Sequence, residues 1–411
     1  MSKLLVLLLA LAMPPLLPGA GFLTKAGQPL FPIGSYELPK TEEGLRAMAE
    51  AGVNLFRCHG KKDLDRVAAV GAQGWIPLPF HIGVADGKIR SQVEAVKDHP
   101  ALAVWEGPDE IVWNFTAYSG LHRNGTFPTR DEWWKQTPLA VDYSEKEAAK
   151  VMPNIRAAIS LIRQLDTKRR PVWINEAARS DLKFIRQYLD SIDVTGCDTY
   201  PIHAATHLPA DVAAFTERYK RLAAGRAVWM VLQGFAWGEL AGRNEPVTYP
   251  TFAETRFMAW AAIARGAKGV LYWGMDAAPP KPVFRESLHA ITSELAALHP
   301  ILTGPEPPGV RIDVIDSEGF DTPSRGVTMF CRRAGREWLV ALVNEDSRPH
   351  MGVIVSGLRE VNRLELLYGK ETAGLVRGEF VTRLLPYEVK VFATNRKWET
   401  SRKAGRDFGQ P

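Results

Sequence analysis

Between Trp105 and Glu110 the chain reads WEGPDE, which places Glu106, Asp109 and Glu110 within one short stretch. Carboxyl groups this close resist ionising together, and an apolar wall such as Trp105 or Trp113 adds a desolvation cost, so one of them is expected to keep its proton near neutrality. General acid–base catalysis is the chemistry such a group can do. Polar and aromatic residues recur behind the other apolar runs: Tyr36 and Glu37; Arg57 and His59; His81; Asn175 and Glu176; Asp198, Tyr200 and His203; Gln233, Trp237 and Glu239; Trp273 and Asp276. A single carboxylate in such a place commonly caps the next helix or pairs with a buried arginine. Polar groups behind all eight apolar runs are an unusual way to build a purely structural rim. His59, His81 and His203 could be imagined as metal ligands with Asp198 or Glu110, but no HxH or HExxH spacing supports this. No metal and no cofactor are expected.

The elements that must position these residues can be counted. Eight apolar runs lie at residues 30–36, 53–58, 75–80, 101–105, 171–175, 192–200, 227–235 and 269–273, and amphipathic helical stretches such as TEEGLRAMAEAG and PADVAAFTERYKRLAAG separate them. Strands apolar on both faces, each followed by a helix, describe a closed parallel (β/α)8 barrel, whose chemistry sits where the strands end. An open doubly wound sheet would need a glycine-rich phosphate loop after the first strand, and GSYELP lacks GxGxxG. The barrel is expected over residues 21–303 and a linker, within GPEPPG, over 304–308. Period-two runs from VTMFCRR to YEVKVFAT then predict a small antiparallel β-sandwich over 309–394. The basic tail 395–411 is expected to be disordered.

Composition agrees with a two-domain globular chain. The 411 residues are 46% hydrophobic and 24% charged, near the globular average. Lys plus Arg exceed Asp plus Glu by 51 to 46, and part of that excess lies in the tail; no basic stripe with interleaved aromatics points to nucleic acid. Residues 1–20 carry Lys3, a short apolar run and small residues ending at Ala20, the order of a secretory signal peptide. A secreted or periplasmic protein without a stable membrane span after cleavage is expected. Cys58, Cys197 and Cys331 are widely spaced without a CxxC pair, and buried free thiols are the expectation for all three.

The fourth run, HPALAVWEGPDEIVW, resembles the corresponding segment of the clan of retaining (β/α)8 glycoside hydrolases, where strand four ends in the acid/base Glu. The spacing of Trp105, Asp109 and Glu110 is similar to that of a group of bacterial barrel proteins, although Ile111 stands where those commonly have Pro. The layout extends over most of the chain, through FPIGSY, VWMVLQGFAW, ARGAKGVLYWGM and LPYEVKVF. The resemblance implies hydrolysis of oligo- or polysaccharide with Glu110 as general acid. Arg57, His59, His81, Glu106, Glu176, Tyr200, Gln233, Trp237 and Trp273 would contact the sugar, Trp273 as a stacking floor.

A glycosidase of this kind also needs a second carboxylate. The family pattern places it at the end of strand seven, where this chain has Gln233. Glu239 beyond strand seven could replace it, Glu176 could act as base in an inverting reaction, or Asp109 could orient a substrate acetamido group that itself attacks. A barrel that binds carbohydrate without hydrolysing it is the competing class. The insert from Asn114 to Tyr143 is longer than a usual strand–helix loop of about 2 to 6 residues. It is read as an arch over the barrel mouth or as a surface excursion with its own small core.

Overall fold

The computed structural model describes residues 21–276, 282–315 and 326–401. The signal-peptide segment 1–20 and the tail from residue 402 onward lie outside the described residues. Eight parallel strands close into a barrel: β1 Ile33–Ser35, β2 Leu55–Arg57, β3 Gln73–Pro77, β4 Leu102–Glu106, β5 Val172–Ala177, β6 Val194–Thr199, β7 Ala227–Gln233 and β8 Gly269–Trp273. β8 returns to β1 in the register Val270 to Ile33 and Tyr272 to Ser35. Each coincides with one of the eight apolar runs.

Strand alternation divides the core into two layers. Leu55, Trp75, Trp173, Trp229, Val231 and Leu271 fill the barrel interior, while Phe56, Ile76, Trp105, Ile174 and Met230 face the helices. Leu23 and Leu30, on a hairpin of Leu23–Lys25 with Gln28–Leu30, join the interior cluster. Gly196 lets β6 and β7 approach: a Cβ there would lie 1.7 Å from the Trp229 carbonyl oxygen.

The outer helices follow ordinary rules. In α1 (Glu42–Glu50) the Thr41 hydroxyl accepts a hydrogen bond from the Gly44 N–H at 3.1 Å, and Leu45 and Met48 pack inward. The sequence after β5 yields only the one-turn helix Leu182–Ile185 and a 3-10 turn over Leu189–Ser191, in place of a full helix. Phe184, Ile185, Tyr188 and Leu189 nonetheless cover the strands. Helix α2 (Phe252–Ala264) is apolar all round, with Phe257 to Ile263 buried, because the barrel covers one side and the second domain the other.

That domain has the expected sandwich form. Its strands are β9 Arg311–Ile315, β10 Val327–Ala334, β11 Glu337–Asn344, β12 His350–Ser356, β13 Arg363–Leu366, β14 Thr372–Gly374, β15 Phe380–Leu384 and β16 Val389–Ala393. They form antiparallel sheets of order β9-β12-β15 and β10-β11-β16-β13-β14. Trp338, Val340 and Leu342 of β11 meet Val353, Val355 and Phe380 in the sandwich core, and Leu339, Ala341 and Val343 join the barrel's outer layer. Arg256 of α2 clamps the domains: it pairs with buried Glu294 and donates to the Val389 carbonyl at 2.7 Å. The first residues of the expected tail carry structure. Residues 395–401 are held, with a turn at Arg396–Trp398, Trp398 packed on the core and Glu399 accepting from the Tyr368 N–H at 2.7 Å. One aromatic anchor outweighs the basic composition around it.

Candidate active site

β4 delivers Glu106 into the barrel, fully buried. Its Oε2 accepts hydrogen bonds from Arg57 Nε at 2.9 Å and Trp75 Nε1 at 3.0 Å. Burial pushes the Glu106 carboxyl up to about 7 despite Arg57. The chain then turns through Gly107 and Pro108 and reaches Glu110 in the left-handed conformation, φ 50° and ψ 39°. A non-glycine residue there stores strain, of order 1 kcal/mol, which a functional site tolerates only when its surroundings enforce it. The surroundings are visible. The Glu110 N–H donates to the Asn175 carbonyl at 3.0 Å, Asn175 Nδ2 donates to Asp109 Oδ1 at 2.9 Å, and the Val112 N–H is caught between both oxygens of Glu176 at 3.1 and 3.2 Å.

Opposite this turn stands Asp198, at the end of β6. The Glu110 and Asp198 carboxyls act on each other's protonation, and Tyr200 acts on Asp198 in turn. Burial holds Glu110 above the ordinary carboxylate range, with Asp198 lowering it and the charge of Asp109 raising it, while burial and the nearby Glu110 and Asp109 hold Asp198 well above that range. Asp109 beside them is raised too, again mainly by burial.

Aromatic residues form one side of the mouth. Trp273 stacks on Tyr200 with ring centroids 5.7 Å apart at 29°, and Phe235 meets Trp273 edge-on at 4.6 Å. Trp237 donates from Nε1 to the Tyr200 carbonyl at 3.1 Å and lies flat against His203 at 4.8 Å. Glu37 anchors the turn after Trp273, accepting from the Gly274 and Met275 N–H groups at 2.8 and 3.0 Å.

Several residues expected at the site are engaged elsewhere. Gln233 ends β7 but is fully buried and bound to backbone: its Oε1 accepts from the Ile202 N–H at 3.0 Å, and its Nε2 donates to the Ile202 and Phe235 carbonyls at 2.8 and 3.1 Å. Glu239 is tied within its own loop, where it accepts from the Tyr249 hydroxyl and the Ala236 N–H. Glu176 is one residue past Asn175 and therefore faces the helices, where Ser180 Oγ at 2.8 Å and Tyr188 Oη at 2.9 Å complete its hydrogen bonds. His59 and His81 are exposed on their loops, and the bonds formed there are through the His59 N–H and the His81 carbonyl. Trp105 points outward and donates to Asp166 Oδ2 at 2.8 Å, so it is no wall for Glu110.

The insert packs Leu121, Phe127 and Trp133 into a core with Tyr143 and Phe184, which is the surface-excursion reading. Sequence reasoning passed over Asp198 as a partner for Glu110. The signal was its place on the same strand face as Val194. Cys58, Cys197 and Cys331 are buried free thiols. Among the described residues no group of His, Cys, Asp and Glu is arranged to hold a metal, and no helix is long and apolar enough to cross a membrane.

No family model and no curated protein sequence matches the chain. Solved structures do. A glycoside hydrolase family 5 protein from Bacteroides vulgatus is similar at 14% identity with a TM-score of 0.56, covering 96% of this chain and 95% of that one. A beta-galactosidase from Bacillus circulans sp. alkalophilus gives 9% identity and a TM-score of 0.53 over 89% of this chain and 98% of that one. A beta-galactosidase from the psychrophilic Marinomonas ef1 gives 14% and 0.47 over 65% of this chain, which spans 60% of its length. The (β/α)8 barrel expected from the strand-four resemblance is the fold that the first two share with this chain.

Proposed function

We propose that this is an exported glycoside hydrolase acting on oligo- or polysaccharide, with Glu110 as general acid and Asp198 as the group that holds and returns its proton. The observation that carries the reading is the interacting, raised Glu110–Asp198 carboxyl pair beside the Tyr200–Trp273 wall. A carboxyl pair sharing a proton is a ready acid near neutrality, and an aromatic face suits the C–H side of a pyranose ring. As a glycosidic oxygen approaches Glu110, the shared proton moves onto it. The glycosidic C–O bond breaks and the leaving alcohol carries the proton away; the pair is left as two carboxylates until a water gives it a proton while the water's hydroxyl bonds to the anomeric carbon.

The same pair cannot supply both groups of a two-carboxylate mechanism. Flanking carboxyls stand about 5 to 5.5 Å apart for retention and about 6.5 to 9.5 Å for inversion, and a pair that shares a proton, as proposed, stands closer than either. With Gln233 bound to backbone and Glu239 and Glu176 engaged elsewhere, substrate assistance is favoured: an acetamido oxygen attacks the anomeric carbon while Asp109, held by Asn175, orients its N–H.

The test is turnover of aryl glycosides and oligosaccharides by the full chain and by Glu110→Gln. Loss of the general acid is expected to lower kcat by about 10²- to 10⁴-fold on sugar leaving groups, and much less on dinitrophenol, which leaves unprotonated. A cyclic thiazoline analogue of the acetamido intermediate should inhibit. Saccharide binding that survives Glu110→Gln, with no turnover by either protein, would instead establish a carbohydrate-binding barrel.

A further inference from the structure

Beneath the carboxyl pair, three buried polar atoms have no hydrogen-bond partner: Tyr36 Oη, Glu106 Oε1 and Asn175 Oδ1. Their residues are 8%, 0% and 1% exposed. All three belong to one cluster. Arg57 lies over the Tyr36 ring at 5.2 Å and bonds Glu106, the charges of Asp109 and Glu106 act on Tyr36, and the other end of the Asn175 amide donates to Asp109. Strand alternation turns Arg57, Glu106 and Asn175 to the barrel interior, where Tyr36 packs edge-on against Trp75 and Trp173. A buried polar atom left unpaired costs about 1 to 3 kcal/mol, which a ligand supplying the missing partner recovers. The amide oxygen accepts only, as does the Glu106 oxygen in its ionised fraction, while the Tyr36 hydroxyl both donates and accepts, so acceptors outnumber donors on the floor.

The charge balance points the same way. Glu106, Asp109, Glu110 and Asp198 converge here, and the guanidinium among them, Arg57, is already paired with Glu106. Even with one proton on the Glu110–Asp198 pair, carboxyl groups outnumber guanidinium groups on the floor of the mouth; Arg243, over the Trp237 ring, is exposed at its rim.

We propose that this site ranks sugars by charge: a ring bearing a free ammonium group, which lacks the acetamido nucleophile and so binds as an inhibitor of the proposed reaction, binds tightest, its neutral counterpart less tightly, and the corresponding uronic acid weakest. The proposal rests on the reading of the mouth as a saccharide site but not on hydrolysis. Each unit of charge should change the dissociation constant by about tenfold at moderate salt, the scale expected for charges several ångströms apart near a protein surface.

The experiment titrates the full-length chain with monosaccharides, which have no bond to hydrolyse: glucosamine, glucose and glucuronate, then galactosamine, galactose and galacturonate, at pH 6.5 and two salt concentrations. The expected order is amino sugar, neutral sugar, uronate in at least one series, compressed by salt and by Asp109→Asn. Tyr36→Phe should weaken all three members of a series alike. Uronate binding as tight as that of the amino sugar, in a protein that hydrolyses glycosides, overturns the charge selection and leaves the hydrolase reading standing. The expected order in a protein that hydrolyses nothing supports the selection and sinks hydrolysis. Absence of saccharide binding overturns both.

Discussion

Glu176 offers a test whose size follows from the structure. It is fully buried and accepts from the Val112 N–H, Ser180 and Tyr188, yet burial outweighs these bonds and pushes its carboxyl from the ordinary 4.5 up to about 8. Between those values the folded chain keeps a proton that the unfolded chain has released, so stability falls as pH rises through that window. At roughly 1.4 kcal/mol per pH unit the whole cost is about 5 kcal/mol, of which about 3 to 4 develops between pH 5 and pH 8. In Glu176→Gln the amide oxygen still receives the Val112 N–H, and its NH2 group faces two hydroxyls that can rotate to accept. That exchange adds an offset independent of pH. Denaturant unfolding at pH 5, 6, 7 and 8 should therefore show the variant gaining on the parent by about 3 to 4 kcal/mol across the series. Parallel curves would refute the argument. Turnover should survive the substitution, because Glu176 supports the Glu110 turn from behind; an inactive but equally stable variant would return Glu176 to the role of catalytic base.

The proton that Glu110 and Asp198 are proposed to share sets the second expectation. Both groups are raised, so the protonated, active pair persists above the ordinary carboxylate range and kcat/KM falls only as pH climbs through the raised value; Asp198→Asn should move that alkaline limb, and an unmoved limb would separate Asp198 from catalysis. The third concerns the domain clamp. Arg256→Ala leaves Glu294, 2% exposed, buried without its guanidinium, which should cost about 3 to 5 kcal/mol in unfolding experiments and open the 304–309 segment to protease.

How far the sequence can be read is decided by strand parity. The alternation that places Leu55, Trp75, Trp173, Trp229 and Leu271 inside the barrel carries on to the strand ends and brings Tyr36, Arg57, Glu106, Asn175, Asp198, Gln233 and Trp273 to the mouth. Barrel and sandwich were legible because eight apolar runs and a later period-two pattern are long-range regularities. Glu176 was misplaced because carboxylates were weighed by type and nearness to a strand end; one residue separates it from Asn175, and one residue reverses the face. Asp198 was undervalued for the same reason, since Val194 and Gly196 precede it on its own face. Glu239 and the tail depend on contacts with Tyr249 and Tyr368 that no periodicity encodes.

Parity has its own limit, and Gln233 marks it. The residue faces inward with the rest of the ring, yet its amide is consumed by the Ile202 backbone and by Phe235. The loop after β6 presents an N–H and a carbonyl at Ile202, and buried backbone groups must be paired. A glutamine can satisfy donor and acceptor at once, whereas a carboxylate there could only accept and would leave the Ile202 and Phe235 carbonyls without their donor. The residue that makes strand seven unlike a two-carboxylate hydrolase is thus the one that holds the loop carrying Tyr200 and His203 against the barrel. If the chain hydrolyses glycosides, that exchange of a nucleophile for a brace is tolerable only where the nucleophile comes from elsewhere, which is why the substrate's own acetamido group is the consistent choice.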